Sequence, residues 1–219
     1  MIVVVGTPAW RPVEPAGPAG LACGIAVAAA AQGASVELVG RAGDDRAGDA
    51  LMIALARAGV GHVALLRDPA RPTRLVEPLP EADEPDLLAD EADDADADEA
   101  AGSKGPGPRL EALDVDLGLR YLTTFAVIVV TDDALDVALA VTTEAAAYAG
   151  AHLVVLVPEG SEPQLDIPAA ATVLAAPRSD PDGAFAASVG SYAAGLDAGR
   201  PPDEAFRAAL AAGWVPSVT

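Results

Sequence analysis

The sequence predicts an α/β protein with a mostly parallel central sheet, and three observations carry that prediction. The opening run MIVVVG (1–6) is apolar without a break, as a strand covered on both faces must be. The stretch Gly20 to Val63, GLACGIAVAAAAQGASVELVGRAGDDRAGDALMIALARAGVGHV, passes from a helical to a strand-like pattern and back, with glycines at the changes. Farther on, FAVIVV (125–130) and HLVVLV (152–157) flank a helical segment, the grammar of a right-handed strand-helix-strand crossover.

In chain order, Ile25 to Gln32 is almost all Ala and aliphatic and predicts a helix that stops at Gly33. SVELVG (35–40) alternates as a short strand. In the turn GRAGDDRAG, Asp44 or Asp45 stands where a cap for the next helix is needed and Asp49 lies in its first turn. That helix is predicted over Ala50 to Ala58, closing on Gly59. The Ala-rich, charge-poor composition of these helices predicts that they lie close against the sheet. HVALLRD (62–68) reads as a strand that PARPTRLVEPLP continues, while Asp83 to Pro108 alternates Asp and Ala with too few bulky apolar side chains to offset ordering entropy and reads as a mobile loop. Regular structure resumes near Leu110. Asp132 or Asp133 is placed to cap a helix over Leu135 to Ala149, which ends at Gly150, and Thr172 to Ala175 predicts a last short strand.

At 219 residues the chain reads as one domain, residues 1–219, with an acidic insertion at 81–108. Net charge is −20, and Glu81 to Glu99 holds 11 of the 33 acidic residues, so the excess is a local tract and not an evenly acidic surface. Such a surface is a poor partner for nucleic acid or anionic membrane. No run long enough to span a bilayer is free of Gly, Pro or charge, and Met1 leads into a strand without a basic leader, which together predict a soluble, cytoplasmic protein. Cys23 is the only cysteine, so neither an intrachain disulfide nor a cysteine metal cluster can form, and within a small-residue turn it reads as a packed thiol. His62 and His152 each stand alone and read as structural or exposed. The acidic tract lacks the spacing of a calcium loop, so no metal site is expected.

The stretch holding Ala19, Gly20, Ala26, Gly33, Gly40, Gly43, Asp44 and Asp45 resembles the opening of the PfkB-type (ribokinase-like) sugar and nucleoside kinases. The resemblance implies a three-layer, Rossmann-like fold with helices on both faces of a mostly parallel sheet. It also implies that Gly20, Gly24, Gly43 and Asp44 border a substrate cleft, although the family's substrate-binding Asn falls on Gly24. Where the family places an Asp after its first strand this chain reads TPAWRPVEPAGPAG, leaving Trp10 and Arg11 as candidate ligand contacts unless the segment is a Pro-rich loop anchored by Trp10. The family's lid, often used for dimerisation, is replaced by the acidic tract.

The closing segment matters most for chemistry. Phe185, Ala186, Ala187, Gly195, Gly199, Glu204 and Ala205 match the family's last two helices. The D-T-x-G-A-G-D-x-F motif that opens the first of them is damaged: Asp180, Pro181, Gly183 and Ala184 fit D-T-x-G-A, but the Gly-Asp pair is missing, and without a gap the family's catalytic Asp falls on Gly183. Phosphoryl transfer to a hydroxyl needs a base near the attacking oxygen and backbone N–H groups for the phosphoryl charge. Asp182 is the nearby candidate base, with a helix cap as its other reading, and Gly183 and Ala184 are the candidate phosphate contacts. The family's nucleotide segment is also reduced, because Ala176 reaches the motif through PRSDPD alone, and the chain has no G-x-x-x-x-G-K-[ST] loop. The expectation is a sugar- or nucleoside-binding or structural protein without phosphotransfer and without a cofactor; the alternative is a compact kinase using Asp182, ATP and magnesium. An unrelated Rossmann-like fold is the third reading, although MIVVVGTPAW lacks the G-x-G-x-x-G of a dinucleotide binder. Loss of covering elements leads to one more expectation, a homodimer that buries an exposed sheet edge.

Overall fold

The computed structural model describes residues 1–76, 107–122, 124–161 and 165–211. Lys104 and the acidic tract 81–99 lie outside the described residues, as does all of the expected mobile segment except its last two positions.

The four apolar residues of β1 (Ile2–Val5) are fully buried, because strands pair on both sides of β1 and helices cover both of its faces. The chain then builds a hairpin from β2 (Ala9–Arg11) and β3 (Gly17–Ala19), antiparallel with Trp10 opposite Pro18. Within the segment 7–20, whose alternative reading is a Pro-rich loop, residues 9–11 and 17–19 are thus strands. Helix α1 (Leu21–Ala31) starts four residues before its predicted first residue, directly from Gly20 at φ 84, and gives way to Gly33 at φ 85. Gly24 is tolerated inside α1 because α1 packs there against another helix.

Strand β4 (Val36–Gly43) outlasts SVELVG by three residues. Asp45 then caps α2 (Arg46–Arg57), its carboxylate accepting the Gly48 N–H at 2.8 Å, with Asp49 in the first turn and Gly59 at φ 78 after the last. The next apolar run divides among β5 (Val60–Gly61), β6 (Leu65–Asp68) and β7 (Arg74–Leu75). β5 and β6 pair successively along β4, whereas β7 leaves for the hairpin and pairs with β2, so the single continued strand expected from residue 62 onward is two strands in two sheets. Helix α3 (Ala112–Tyr121) opens on a capping box in which Asp114 accepts the Glu111 N–H at 2.9 Å. Then come β8 (Val127–Val130), a 3₁₀ turn at Asp132–Ala134, α4 (Leu135–Ala149) with its left-handed stop at Gly150, β9 (His152–Pro158) and β10 (Thr172–Ala176). Helices α5 (Ala184–Asp197) and α6 (Pro202–Ala211) close the described chain.

The main sheet runs β10-β9-β8-β1-β4-β5, with β6 also on β4, and every pairing in it is parallel. The small sheet runs β3-β2-β7. Alternate residues of β1 and β8 point to opposite faces, which separates two cores. Ile2, Val4, Val127 and Val129 pack with α1, α5 and α6; Val3, Val5, Ile128 and Val130 pack with α3 and α4. The crossover through α1 and the one through α4 travel in opposite directions along the sheet and place their helices on opposite faces, as one common hand requires. The result is the expected three-layer arrangement.

Candidate functional site

From β1 the chain moves outward to β4, then returns to β1's other side at β8, so the strand order reverses between β1 and β8. In open parallel sheets the crevice outside the carboxyl ends of the strands at such a reversal is the usual ligand site. Here its floor is Gly6 and Thr7 after β1 and Thr131, Asp132 and Asp133 after β8. The two strand ends are tied together. Thr7 N–H donates to Asp133 Oδ2 at 3.1 Å, and the fully buried Thr131 hydroxyl lies between the Val5 carbonyl, at 3.1 Å, and Asp133 Oδ1. Gly6 is required by this approach, since a Cβ there would stand 2.1 Å from Thr131 Oγ1.

Asp132 and Asp133 therefore do not cap α4, whose N-terminal flank is Ala134, and the reading of either as a cap is corrected. Asp132 is half-buried, and burial is the main cause that raises its carboxyl above the ordinary value of 3.8, followed by the adjacent Asp133 charge. Nearby backbone N–H groups and the Arg74 guanidinium on β7 act the other way. A carboxyl that holds its proton more tightly when folded contributes stability below the unfolded value and loses it as pH rises through the folded one. Asp132→Asn is expected to raise the urea midpoint at about pH 7 and to leave it unchanged at about pH 3, where both forms are neutral. An equal midpoint at both pH values would mean that the carboxylate is as well solvated in the fold as in the unfolded chain.

Cys23, in the first turn of α1, is fully buried near the same crevice. Burial pushes its thiol up to about 12 against backbone hydrogen bonds from Ala9 and Ala19, so it carries no thiolate for chemistry at neutral pH.

At the start of α5, Gly183 sits in the left-handed region at φ 68 and Asp182 is exposed. The residue at the cap position is Gly183, and the carboxylate that reaches the first helical N–H groups is that of Asp180, which corrects the reading of Asp182 as the capping residue. Asp180 Oδ1 accepts the Phe185 N–H at 3.0 Å, Oδ2 accepts the Ala186 N–H at 2.8 Å, and the Asp180 carbonyl accepts the Gly183 N–H at 3.1 Å. One residue thus engages three of the donors that open α5, including that of the candidate phosphate contact Gly183; Ala184 is exposed beside it.

The other candidate contacts divide into three places. Gly20, at the head of α1, lies by the crevice, where a Cβ would be 3.4 Å from the Thr7 carbonyl. Gly24 faces α5, and a Cβ would stand 2.8 Å from Ala186 Cβ, so the position has packing in place of the Asn that the family uses. Gly43 and Asp44 belong to a turn that is latched shut. Thr73 Oγ1 accepts the Gly43 N–H at 3.0 Å and donates to Asp45 Oδ1 at 2.7 Å, Thr73 N–H donates to Asp45 Oδ2 at 2.8 Å, and Asp44 holds Arg67 at 3.1 Å. Burial raises the Asp45 carboxyl, but the hydrogen bonds from Thr73 and Gly48 and the Arg67 charge outweigh it and hold it below its ordinary value. Trp10 and Arg11 lie on the small sheet. Trp10 packs against the core, and Arg11 Nε donates to the Pro15 carbonyl at 2.7 Å, across its own hairpin.

Sequence reading missed Thr7, Arg74 and Thr131 as parts of this mouth. The available signal was the Asp132-Asp133 pair directly after a buried strand, where a capping cue and a crevice-facing cue look the same. Among the described residues no group of three or more His, Cys, Asp and Glu is arranged to hold a metal, and no helix is long and apolar enough to cross a membrane.

Solved structures place this architecture in a class. The chain superposes on Arabidopsis thaliana ribokinase complexed with ribose and ATP at a TM-score of 0.62 and 15% identity, covering 96% of this chain and 90% of that one. On Xylella fastidiosa fructokinase with bound ATP the TM-score is 0.53 and the identity 16%, over 96% of this chain and 65% of that one. A protein crystallised as Sa239 matches at a TM-score of 0.69 and 11% identity, over 99% and 95% of the two chains. The fold is therefore ribokinase-like. The sequence profile of the pfkB family carbohydrate kinases matches residues 16–176, and the chain belongs to that family. No curated protein sequence matches it. The chain spans about two thirds of the fructokinase and, at 49%, about half of the aminoimidazole riboside kinase of Salmonella enterica.

Proposed function

We propose that this protein is a pfkB-family member that retains a small-molecule crevice for a sugar or a nucleoside, or a structural role built on the same fold, and does not transfer phosphate. The observation that carries the reading is Asp180. A phosphoryl group held at the start of α5 needs backbone N–H groups and their positive potential. Here the carboxylate of Asp180 already occupies the Phe185 and Ala186 donors, so an incoming phosphate meets a fixed negative charge in place of free N–H groups. The residues at the α5 start do not fit a transferred phosphoryl group as they stand. The chain's net charge of −20 favours a small ligand over nucleic acid, and a cytoplasmic location is consistent with this reading.

A second reading, a compact ATP- and magnesium-dependent sugar or nucleoside kinase with Asp182 as base, draws its support from the ATP bound in the Arabidopsis ribokinase and the Xylella fructokinase. It requires Asp180 to release α5 and the exposed Asp182 to turn into the crevice. Calorimetric titration separates the two. The expected result is no heat with ATP-magnesium, a saturable heat with one member of a panel of sugars and nucleosides, and no change in either with Asp182→Asn. ATP binding that survives Asp182→Asn, together with phosphate transfer that does not, would overturn the proposal in favour of the kinase.

A further inference from the structure

The crevice lies at the carboxyl ends of the strands, and a second cavity lies at their amino ends. Its walls are the C-terminal halves of α3 and α4 and residues 124–126, which lead into β8. Its volume of about 1070 Å³ stands at the upper end of the roughly 300 to 1,000 Å³ that small organic ligands occupy. Helix α4 separates the two places: its start adjoins the 3₁₀ turn at Asp132–Ala134 beside the crevice, and its last residues line the cavity, about 22 Å away along the helix.

The floor of this cavity is apolar. Leu119 and Leu122 at the end of α3 are buried, and Phe125, Val141 and Ala145 pack partly buried on the same core. Tyr148 stands at the rim with 95% of its surface exposed. In a chain with only 4% aromatic residues, two rings on one cavity give it faces on which a flat molecule can stack. The charges around it are unequal. Arg120 closes on Asp116, its Nε donating to Oδ1 at 3.0 Å and its Nη2 lying 2.8 Å from Oδ2, and the Met1 amino group is held by Asp197 of α5. Glu144 has no side-chain partner among the described residues, so one negative charge is left over. Two helices also end here, α3 at Tyr121 and α4 at Ala149, and their last carbonyls bring partial negative charge to the same place. In the last turn of α4 no basic residue offsets it.

We propose that this cavity binds an organic cation, a flat apolar body that carries one protonated amine. The body rests on the apolar floor and against the rings of Phe125 and Tyr148, and the ammonium sits beside Glu144. An anion finds no free cation here, because Arg120 would have to leave Asp116 to meet it. A neutral molecule of the same shape gains the floor and the rings but leaves Glu144 alone. The site does not depend on what the crevice binds or on whether the chain transfers phosphate.

Three probes that share an indole ring test it: tryptamine as the cation, tryptophol as the neutral form and indole-3-acetate as the anion. They are titrated calorimetrically into the full chain at about neutral pH and about 0.15 M salt, which screens the general attraction of a −20 chain for cations. Fluorine NMR of fluorotyrosine-labelled protein locates the binding, since the chain has three tyrosines and Tyr148→Phe identifies the signal of position 148. Tryptamine is expected to shift that signal saturably, tryptophol to bind about fivefold more weakly, and indole-3-acetate more weakly still. Glu144→Gln is expected to bring tryptamine down to the affinity of tryptophol and to leave tryptophol unchanged. Tyr148→Ala is expected to weaken both by about twofold to fivefold. Both side chains are exposed, so these variants keep the fold, which circular dichroism checks. Three probes that bind alike, or no binding of tryptamine, would overturn the proposal. So would tryptamine binding that Glu144→Gln leaves unchanged, which would place the cation at another acidic surface such as Asp132 and Asp133.

Discussion

Tyr192→Ala is expected to cost about 3 to 5 kcal/mol, the range for removing a fully buried large aromatic side chain. Tyr192, on α5, is 1% exposed and is among the largest completely buried side chains. Its ring meets Phe206 of α6 edge-to-face at a centroid separation of 5.9 Å, and its hydroxyl lies 3.1 Å from Thr172 Oγ1 at the start of β10. One residue thus links α5, α6 and the outermost strand, and deleting it leaves a cavity where three elements join. Tyr192→Phe keeps the ring and loses only the hydroxyl contact, with an expected cost of about 1 kcal/mol. Urea denaturation of the three proteins measures both values. A loss below about 1 kcal/mol for the alanine variant would mean that the surroundings collapse into the space, so that α6 does not depend on this ring. Since domain stabilities are about 5 to 15 kcal/mol, the larger loss would bring the variant close to unfolding at ordinary temperatures.

Tyr192 also shows where sequence reading reaches its limit. The periodicity of α5 was visible as an Ala-rich helix matching the family's end, but nothing local marks position 192 as the residue that meets Thr172, 20 positions earlier. The buried strands β1, β8 and β9 were legible because a short, unbroken apolar run fits a strand covered on both faces, and the stops at Gly33, Gly59 and Gly150 were legible because each is a glycine with φ between 66 and 85. The small sheet was not. Its strands are three, three and two residues long, two of them contain or adjoin proline, and β7 pairs with β2 across more than sixty positions, so no alternation could build up. The mouth of the crevice is hidden for a related reason. Asp133 meets Thr7 126 residues away, a contact made by topology and not by spacing. The choice between Asp180 and Asp182 as the carboxylate at the α5 start rests on the left-handed turn at Gly183, which carries the chain past Asp182 and returns the N–H groups of Phe185 and Ala186 to Asp180. The family motif brought both aspartates into consideration, and only the backbone path assigns them.

The α1-α5 contact gives the second large effect, and for it local propensity and packing predict opposite signs. On propensity alone, Gly190→Ala in the middle of α5 should stabilise by about 0.5 to 1 kcal/mol. Packing predicts the reverse, because a Cβ at 190 would lie 2.7 Å from Ala28 Cβ, 2.8 Å from the Ile25 carbonyl oxygen and 2.9 Å from Ala29 N. Two of those atoms are backbone of α1 and cannot rotate aside, so the helices must separate along a seam that also holds Gly24 against Ala186. The expected result is a net loss of about 3 kcal/mol by urea denaturation, at the upper end of overpacking costs. A gain would show that α1 can slide on α5 at little cost, and the head of α1, with Gly20 and Cys23, would then be free to shift against the start of α5. That freedom bears on ligand recognition. The crevice is bordered by those two helix ends, and a binder without a covalent step depends on their fixed separation for its selectivity. A loss at Gly190 with the sugar or nucleoside heat weakened in parallel would tie the small-residue seam to the site. A loss of stability with binding unchanged below the midpoint would confine the seam to folding and leave recognition to the strand ends at Thr7, Asp132 and Asp133.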